Sequence, residues 1–350
     1  MQVGNGYRPD IDGLRAVAVL SVVLYHLDAP GFSGGFVGVD VFFVISGFLI
    51  GGHIAEDLAK GRFSLARFYE RRVRRIAPAM LSLLALVMAA GVVVLTSPEY
   101  SQLVGVAVST IELIPNIRML QLIEGPPGAA AQLSPLAHLW SLGIEEQFYL
   151  AFPLLMLAIA KLGGGRYVLW LMFLGLSSLA ACLLISRLAT LEDFYLPWFR
   201  AWELFLGALV AVGSAAPRSA RRREVIALGG LGLIGVADVL LKRGMDYPSE
   251  LSLLPCLGGA LVLYAGAGGS GFAGRVMTNR PMRWIGLWSY SLYLIHWPLL
   301  ILALHWKGSG LYSWERAAVL VVSIGLAALS WRFVEQPFRP ASIQRRASGS

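Results

Sequence analysis

The chain has 350 residues, of which 57% are hydrophobic and only 14% charged. A soluble domain carries roughly 25% charge, so the composition excludes an ordinary water-soluble enzyme. The net charge of +8 is not gathered on a soluble basic face with interleaved aromatics, which argues against a nucleic-acid partner, and the two cysteines lie in apolar segments without disulfide or metal-site spacing.

The apolar residues come in blocks of about 20, enough to cross a hydrocarbon core of about 30 Å. Alternating barrel strands are absent, and each span must satisfy its own backbone, so the spans are helices. Ten candidate spans follow in chain order: about 12–28, 36–54, 77–96, 136–160, 167–187, 194–214, 224–241, 250–268, 283–304 and 314–334. No small-residue cleavage site follows the first basic region, so no cleavable leader is expected.

The first span carries two groups that are costly in lipid, Arg15 and His26. Eleven residues of helix turn through about three revolutions plus 20°, placing both on one face about 16 Å apart. A cation and an imidazole aligned this way read as a functional pathway. Asp40 opens the second span at the depth of His26. It can fix the imidazole tautomer, or cap its own helix, and both roles can hold together.

The connection after the second span holds Lys60, Arg62, Arg67, Arg71, Arg72, Arg74 and Arg75. The run from Arg71 to Arg75 reads either as an anchor on anionic lipid or as a grip on a polyphosphate. The longest connection, about 97–135, contains Glu112, Pro115 and Arg118 within an otherwise apolar Leu103–Met119 stretch. It is expected to form one outer-face or re-entrant helix, followed by a loose Gly125-Pro126-Pro127-Gly128 loop. The fourth span opens His138-Leu139-Trp140-Ser141-Leu142-Gly143-Ile144-Glu145-Glu146-Gln147-Phe148-Tyr149. Glu145 shares a face with Ser141 at i, i+4 and is the preferred functional carboxylate; Glu146 points about 100° away. A structural reading of Glu145, as a bridge to Arg15 or Arg200, stands beside it. In the ninth span Ser289, Tyr290, Ser291, Tyr293 and His296 form a polar stripe beside Pro298, as expected for a cavity lining. His53 and His305 fall near span ends.

Basic residues alternate between connections. The even-numbered loops and the tail (Arg332, Arg339, Arg345 and Arg346) are rich in them, and the odd-numbered loops poor. The positive-inside rule then puts both termini in the cytoplasm. The expected organisation is an all-α polytopic membrane protein of about ten transmembrane helices, one domain over 1–340, with a disordered cytoplasmic tail at 341–350.

Four ordered motifs carry a family resemblance. They are Arg15-x10-His26, the Gly38-to-Phe48 block, Arg71-to-Arg75 followed by Pro78, and Ser141-Leu142-x2-Glu145-Glu146-Gln147-Phe148-Tyr149. Together they closely resemble the membrane acyltransferase family 3, whose members O-acylate bacterial surface glycans and some secondary metabolites. The resemblance implies a ten-helix core in the bacterial inner membrane, with Arg15 and His26 essential. It also implies that the Arg72-x2-Arg75 type motif engages acyl-coenzyme A. Many members append a hydrolase-like domain. The chain stops at residue 350, so the core is expected to act alone or to pass the acyl group to a separate extracytoplasmic transferase protein.

On this reading acetyl-coenzyme A is a donor substrate, with no tightly bound cofactor and no metal. Arg71, Arg72, Arg74 and Arg75 hold its nucleotide. Arg15 marks the channel entrance. His26 removes the acceptor proton, or transiently carries the acyl group, with Asp40 or Glu145 orienting it. Ser141, Glu146, Tyr149, Tyr293 and His296 are substrate-site candidates. The acceptor is a glycan or glycolipid hydroxyl. A glycolipid flippase, or an acyltransferase for a small secondary metabolite, is the alternative.

Overall fold

A computed structural model of the chain describes residues 7–125, 128, 133–188, 192–213, 217–266 and 271–338. The expected tail at 341–350, and both prolines of the Gly125–Gly128 loop, lie outside the described residues. Among the described residues there is no strand. The helices are α1 (Pro9–His26), α2 (Gly38–Ala59), α3 (Leu65–Val94), α4 (Ser97–Ile111), α5 (Pro115–Glu124), α6 (Trp140–Leu162) and α7 (Tyr167–Ser186). They continue with α8 (Glu192–Tyr195), α9 (Pro197–Gly213), α10 (Ala220–Leu240), α11 (Leu253–Ala265), α12 (Phe272–Thr278), α13 (Arg280–Lys307) and α14 (Ser313–Ser330).

Over its described residues each of the ten apolar stretches is mostly helical, the sixth being divided at Leu196. Among the described residues, six helices are long and apolar enough to cross a bilayer: Gly35–Ala59, Leu65–Val94, Ala137–Leu162, Tyr167–Ser186, Arg280–Lys307 and Ser313–Phe338. The chain is thus an all-helical, multi-pass membrane protein. Local chemistry sets several helix starts. Ser64 Oγ accepts the Arg67 amide at 3.4 Å to open α3, and Glu99 Oε2 accepts the Thr96 amide at 2.8 Å to open α4. Pro9 and Pro115 sit at first-turn positions, where a missing N–H costs nothing.

The expected single helix over Leu103–Met119 is instead two, α4 and α5. Pro115 disfavours helical geometry at the residue before it, and Leu113 adopts φ +65°, so the chain turns there.

The chain divides into two compact units, one of Met1–Phe63 with Ile144–Gly286, the other of Ser64–Gly143 with Leu287–Ser350. The boundaries fall inside α6 and α13. In the first unit α2 packs closely on α9. A Cβ at Gly47 would lie 1.8 Å from the Leu204 carbonyl oxygen, and one at Gly207 would lie 1.9 Å from that of Val44. Two missing side chains therefore let the backbones touch, as small residues do in membrane bundles. Leu14, Val41, Val44, Phe48, Trp202 and Leu263 belong to the core built around this contact. In the second unit α3 and α4 bury Leu83, Leu84, Val87, Leu103 and Val106.

Candidate active site

Helix α1 runs unbroken from Pro9 to His26 and so carries Arg15 and His26 on one rod. Its first turn holds two buried carboxylates, Asp10 and Asp12, where the helix dipole favours negative charge. Arg8 Nε donates to Asp10 Oδ1 at 3.0 Å. The Tyr7 hydroxyl donates to Asp12 Oδ2 at 2.5 Å, and Arg15 Nη1 lies 4.0 Å from Asp12 Oδ1. Arg15 thus stands in a charged, half-buried setting at one end of the helix. His26 is the last helical residue, where the dipole favours a cation. It is half-buried, and its ring centroid lies 5.2 Å from that of Tyr25.

The structure gives Asp40 to Arg200. Arg200 Nη2 donates to Asp40 Oδ1 at 2.8 Å, and Arg200 Nε lies 3.0 Å from Glu203 Oε1. The three side chains are at most 1% exposed. The Gly47–Gly207 approach brings the first turn of α2 and α9 close enough for this pairing. Rings of Phe43, Phe194 and Tyr247 surround the guanidinium at 5.7–5.9 Å. Donor atoms of Asp40, Glu203 and Cys256 lie within 4.8 Å of one another, a spacing that could hold a metal ion. Arg200 already supplies the positive charge between the two carboxylates, so a buried ion-pair network accounts for the grouping.

Glu145 bridges two helices through hydroxyls rather than through Arg200. Ser46 Oγ of α2 donates to Glu145 Oε1 at 2.5 Å, and the Tyr149 hydroxyl donates to Oε2 at 3.0 Å. The same hydroxyl lies 3.1 Å from Ser46 Oγ. This closed triangle fixes the carboxylate's direction. Glu146 is buried as well, about 100° round α6 from Glu145.

The second unit gathers Ser141, Tyr293, His296 and His138, all buried. Ser141 Oγ is 2.6 Å from the Tyr293 hydroxyl, which donates to the His138 carbonyl oxygen at 2.9 Å. The rings of His138, Tyr293 and His296 have centroids 5.4–5.8 Å apart. His296 Nδ1 faces the Tyr293 carbonyl oxygen at 2.8 Å, so that nitrogen carries the proton and Nε2 is the basic atom. Also in this unit, Arg71, Arg72, Arg74 and Arg75 lie within little more than one turn of α3. Arg71 and Arg74 are exposed, Arg72 and Arg75 half-buried, and Arg74 pairs with Glu70 at 2.9 Å.

These groupings sit inside one family match. A model of the acyltransferase domain matches residues 8–332. The chain belongs to that family. Among similar proteins, O-acetyltransferase OatA of Staphylococcus aureus strain NCTC 8325 is 30% identical over 95% of this chain and 57% of its own length. Peptidoglycan O-acetyltransferase OatA of Listeria monocytogenes is 30% identical over 95% of this chain and 56% of its own. A putative O-acetyltransferase of S. aureus strain MSSA476 is 29% identical, over 97% and 58%. The chain thus spans somewhat over half the length of these relatives. No solved structure matches.

Four polar residues carry contacts that the sequence analysis does not single out, three within the matched span and Glu335 just beyond it. Ser46 lies inside the Gly38-to-Phe48 motif, which gives it no role of its own. Glu203 forms an i, i+3 pair with Arg200, and two charges three apart in an apolar helix are themselves a signal. Asp238 of α10 accepts from Ser21 Oγ of α1 at 2.7 Å. Its signal was a lone carboxylate in a span. Glu335 accepts from Ser291 Oγ at 2.6 Å, at the π-turn Trp331–Glu335.

Proposed function

We propose that this chain is a membrane O-acetyltransferase. It moves an acetyl group from acetyl-coenzyme A on the cytoplasmic side of the inner membrane to a glycan hydroxyl on the outer side. Membership of the acyltransferase family supports the reaction class, and the relative named for peptidoglycan favours that glycan as acceptor. With both termini inside, α1 runs outward and His26 lies toward the acceptor.

The single observation that carries the reading is the continuity of α1. One rigid rod holds a cation near its start and an imidazole at its end, about 16 Å apart at 1.5 Å per residue. Arg71, Arg72, Arg74 and Arg75 grip the phosphates of the nucleotide, which carry too much charge to enter lipid. The pantetheine arm is thin and only mildly polar, and can pass a narrow channel marked by Arg15.

At the reaction point His26 accepts the acceptor's hydroxyl proton while the oxygen attacks the thioester carbonyl carbon. The carbon–sulfur bond then breaks, and the leaving thiolate takes up a proton. General-base action of this kind contributes roughly 10²–10⁴-fold. Glu145, whose direction is fixed by Ser46 and Tyr149, is assigned the orienting role on this reading. Asp40 serves the α2–α9 junction through Arg200.

The test is thiol release from acetyl-coenzyme A by the purified chain in detergent with peptidoglycan glycan strands. Wild type should release thiol and acetylate the strands, and His26→Gln should lose the transfer. Equal turnover by the two would overturn the assignment.

A further inference from the structure

The α1–α2 turn is built more firmly than a simple connection needs. Ser33 Oγ donates to the Leu241 carbonyl oxygen at 2.9 Å with that of Val239 also in reach at 3.2 Å, and the Gly34 amide donates to the Asp238 carbonyl oxygen at 2.7 Å. These bonds fasten the turn to the end of α10. On that floor stands a file of aromatic rings. Tyr25 and Phe36 meet edge to face at 5.3 Å, and Phe36 meets Tyr247 at 4.8 Å. Val37, Ala237 and Leu241 are buried beneath Phe36 and Tyr247. Tyr25 and Phe36 remain half-exposed.

Two charged groups flank the file. Arg243 Nε donates to the Tyr25 hydroxyl at 2.9 Å, and Arg243 keeps an exposed side chain. Burial opposes its charge, but the Tyr25 hydroxyl and the Asp28 carboxylate outweigh that and hold its pKa above the ordinary value. Asp28 is exposed and adopts φ +52°, an uncommon backbone state for a residue with a side chain. Tyrosine alone at a membrane boundary is ordinary. A ring file, a guanidinium bonded to it, a carboxylate in a strained turn and a floor pinned through Ser33 and Gly34 are not. This combination suits a sugar: its C–H face packs on the ring surface left open by the Arg243 guanidinium, which lies 4.9 Å over the Tyr25 ring, and its hydroxyls pair with a donor fork and a carboxylate.

We propose that Tyr25, Phe36, Asp28 and Arg243 form a subsite for one sugar ring of the acceptor glycan. Tyr25 is the chain neighbour of His26 and touches its ring, so a sugar on this platform presents a hydroxyl to the imidazole. The platform is preorganised, which lowers the ordering cost of binding. The inference rests on the acetyltransferase reading for its consequence in turnover, but not for binding itself.

The test uses the full chain in detergent, acetyl-coenzyme A and peptide-free peptidoglycan glycan strands. Strand KM and direct strand binding by calorimetry are measured for wild type, Arg243→Gln, Tyr25→Leu and, as a control of charge alone, the exposed neighbour Lys242→Gln. Wild-type unfolding temperature in each variant verifies folding; Arg243→Lys substitutes for any variant that fails. Arg243→Gln and Tyr25→Leu should each raise KM and weaken binding about tenfold, the range set by a lost charged hydrogen bond, with Lys242→Gln within about twofold. Acetylation by wild type with KM unmoved by Arg243→Gln, or moved equally by Lys242→Gln, overturns the subsite and leaves the enzyme reading intact. Absent acetylation with strand binding that Arg243→Gln abolishes overturns the enzyme reading and supports the subsite. Neither turnover nor binding by wild type overturns both.

Discussion

Replacing Arg200 by methionine would remove the cation from a site that holds two carboxylates. Asp40 sits 2.8 Å and Glu203 3.0 Å from the guanidinium, and none of the three side chains is more than 1% exposed. Their oxygens lie within 4.8 Å of each other. At about 4 Å and an effective dielectric of 20, two like charges repel by about 4 kcal/mol. Taking up a proton relieves part of this but leaves buried oxygens poorly bonded. Breaking a buried pair costs about 3–5 kcal/mol, so Arg200→Met should lose about that much stability. At 2–4 °C per kcal/mol for a domain of this size, unfolding should move down by about 10 °C. A thiol-reactive dye reads this directly, because Cys182 and Cys256 are fully buried in the folded chain. Adding Asp40→Asn and Glu203→Gln to Arg200→Met should recover most of the loss. An Arg200→Met protein that unfolds at the wild-type temperature would refute the argument.

Four further outcomes follow from the same geometry. Ser46→Ala removes the 2.5 Å donor to Glu145, and Tyr149→Phe the 3.0 Å donor; each should cost about 1–3 kcal/mol in the function Glu145 serves, read as about tenfold or more in kcat. Gly207→Ala forces a Cβ to 1.9 Å from the Val44 carbonyl oxygen, and should lower stability by about 1–3 kcal/mol in the same dye assay. Arg72→Gln and Arg75→Gln should each raise the KM for acetyl-coenzyme A about tenfold and flatten its salt dependence, measured by thiol release from 50 mM to 300 mM salt, on the order of one charged hydrogen bond each. Bonds from the Thr96 side chain and backbone hold the Glu99 carboxyl below its usual range. Its contribution to the start of α4 is therefore present above the unfolded pKa of about 4.3 and lost as pH falls through the lower folded value; amide exchange in α4 should speed up only in strong acid, and Glu99→Gln should remove that pH dependence.

The helices were legible in the sequence because each is a local property. Runs of apolar residues, Pro at first turns and capping pairs such as Thr96 with Glu99 need no knowledge of the rest of the chain. The break between α4 and α5 was missed although Pro115 announced it, because the apolar run across it looked continuous. The site was legible in its membership more than in its partnerships. Ser141 and Tyr293 stood out as polar groups in lipid, but their contact spans 152 residues of chain. Arg200 was considered as a partner for Glu145 and instead takes Asp40, 160 residues away. That choice is made by the backbone contact at Gly47 and Gly207, which no local pattern reveals. Ser46 went unread for a related reason: a single hydroxyl in an apolar block says nothing until the carboxylate it serves is brought beside it.

On the proposed mechanism the imidazole at the end of α1 takes the acceptor's proton during acetyl transfer. The most direct measurement is mass analysis of cell-wall glycan strands from cells carrying wild type, His26→Gln or no copy of the gene. Wild type should add the mass of one acetyl group to the strands, and His26→Gln should match the cells without the gene while the protein remains folded in the membrane. Strands acetylated to the wild-type level by folded His26→Gln protein would contradict it.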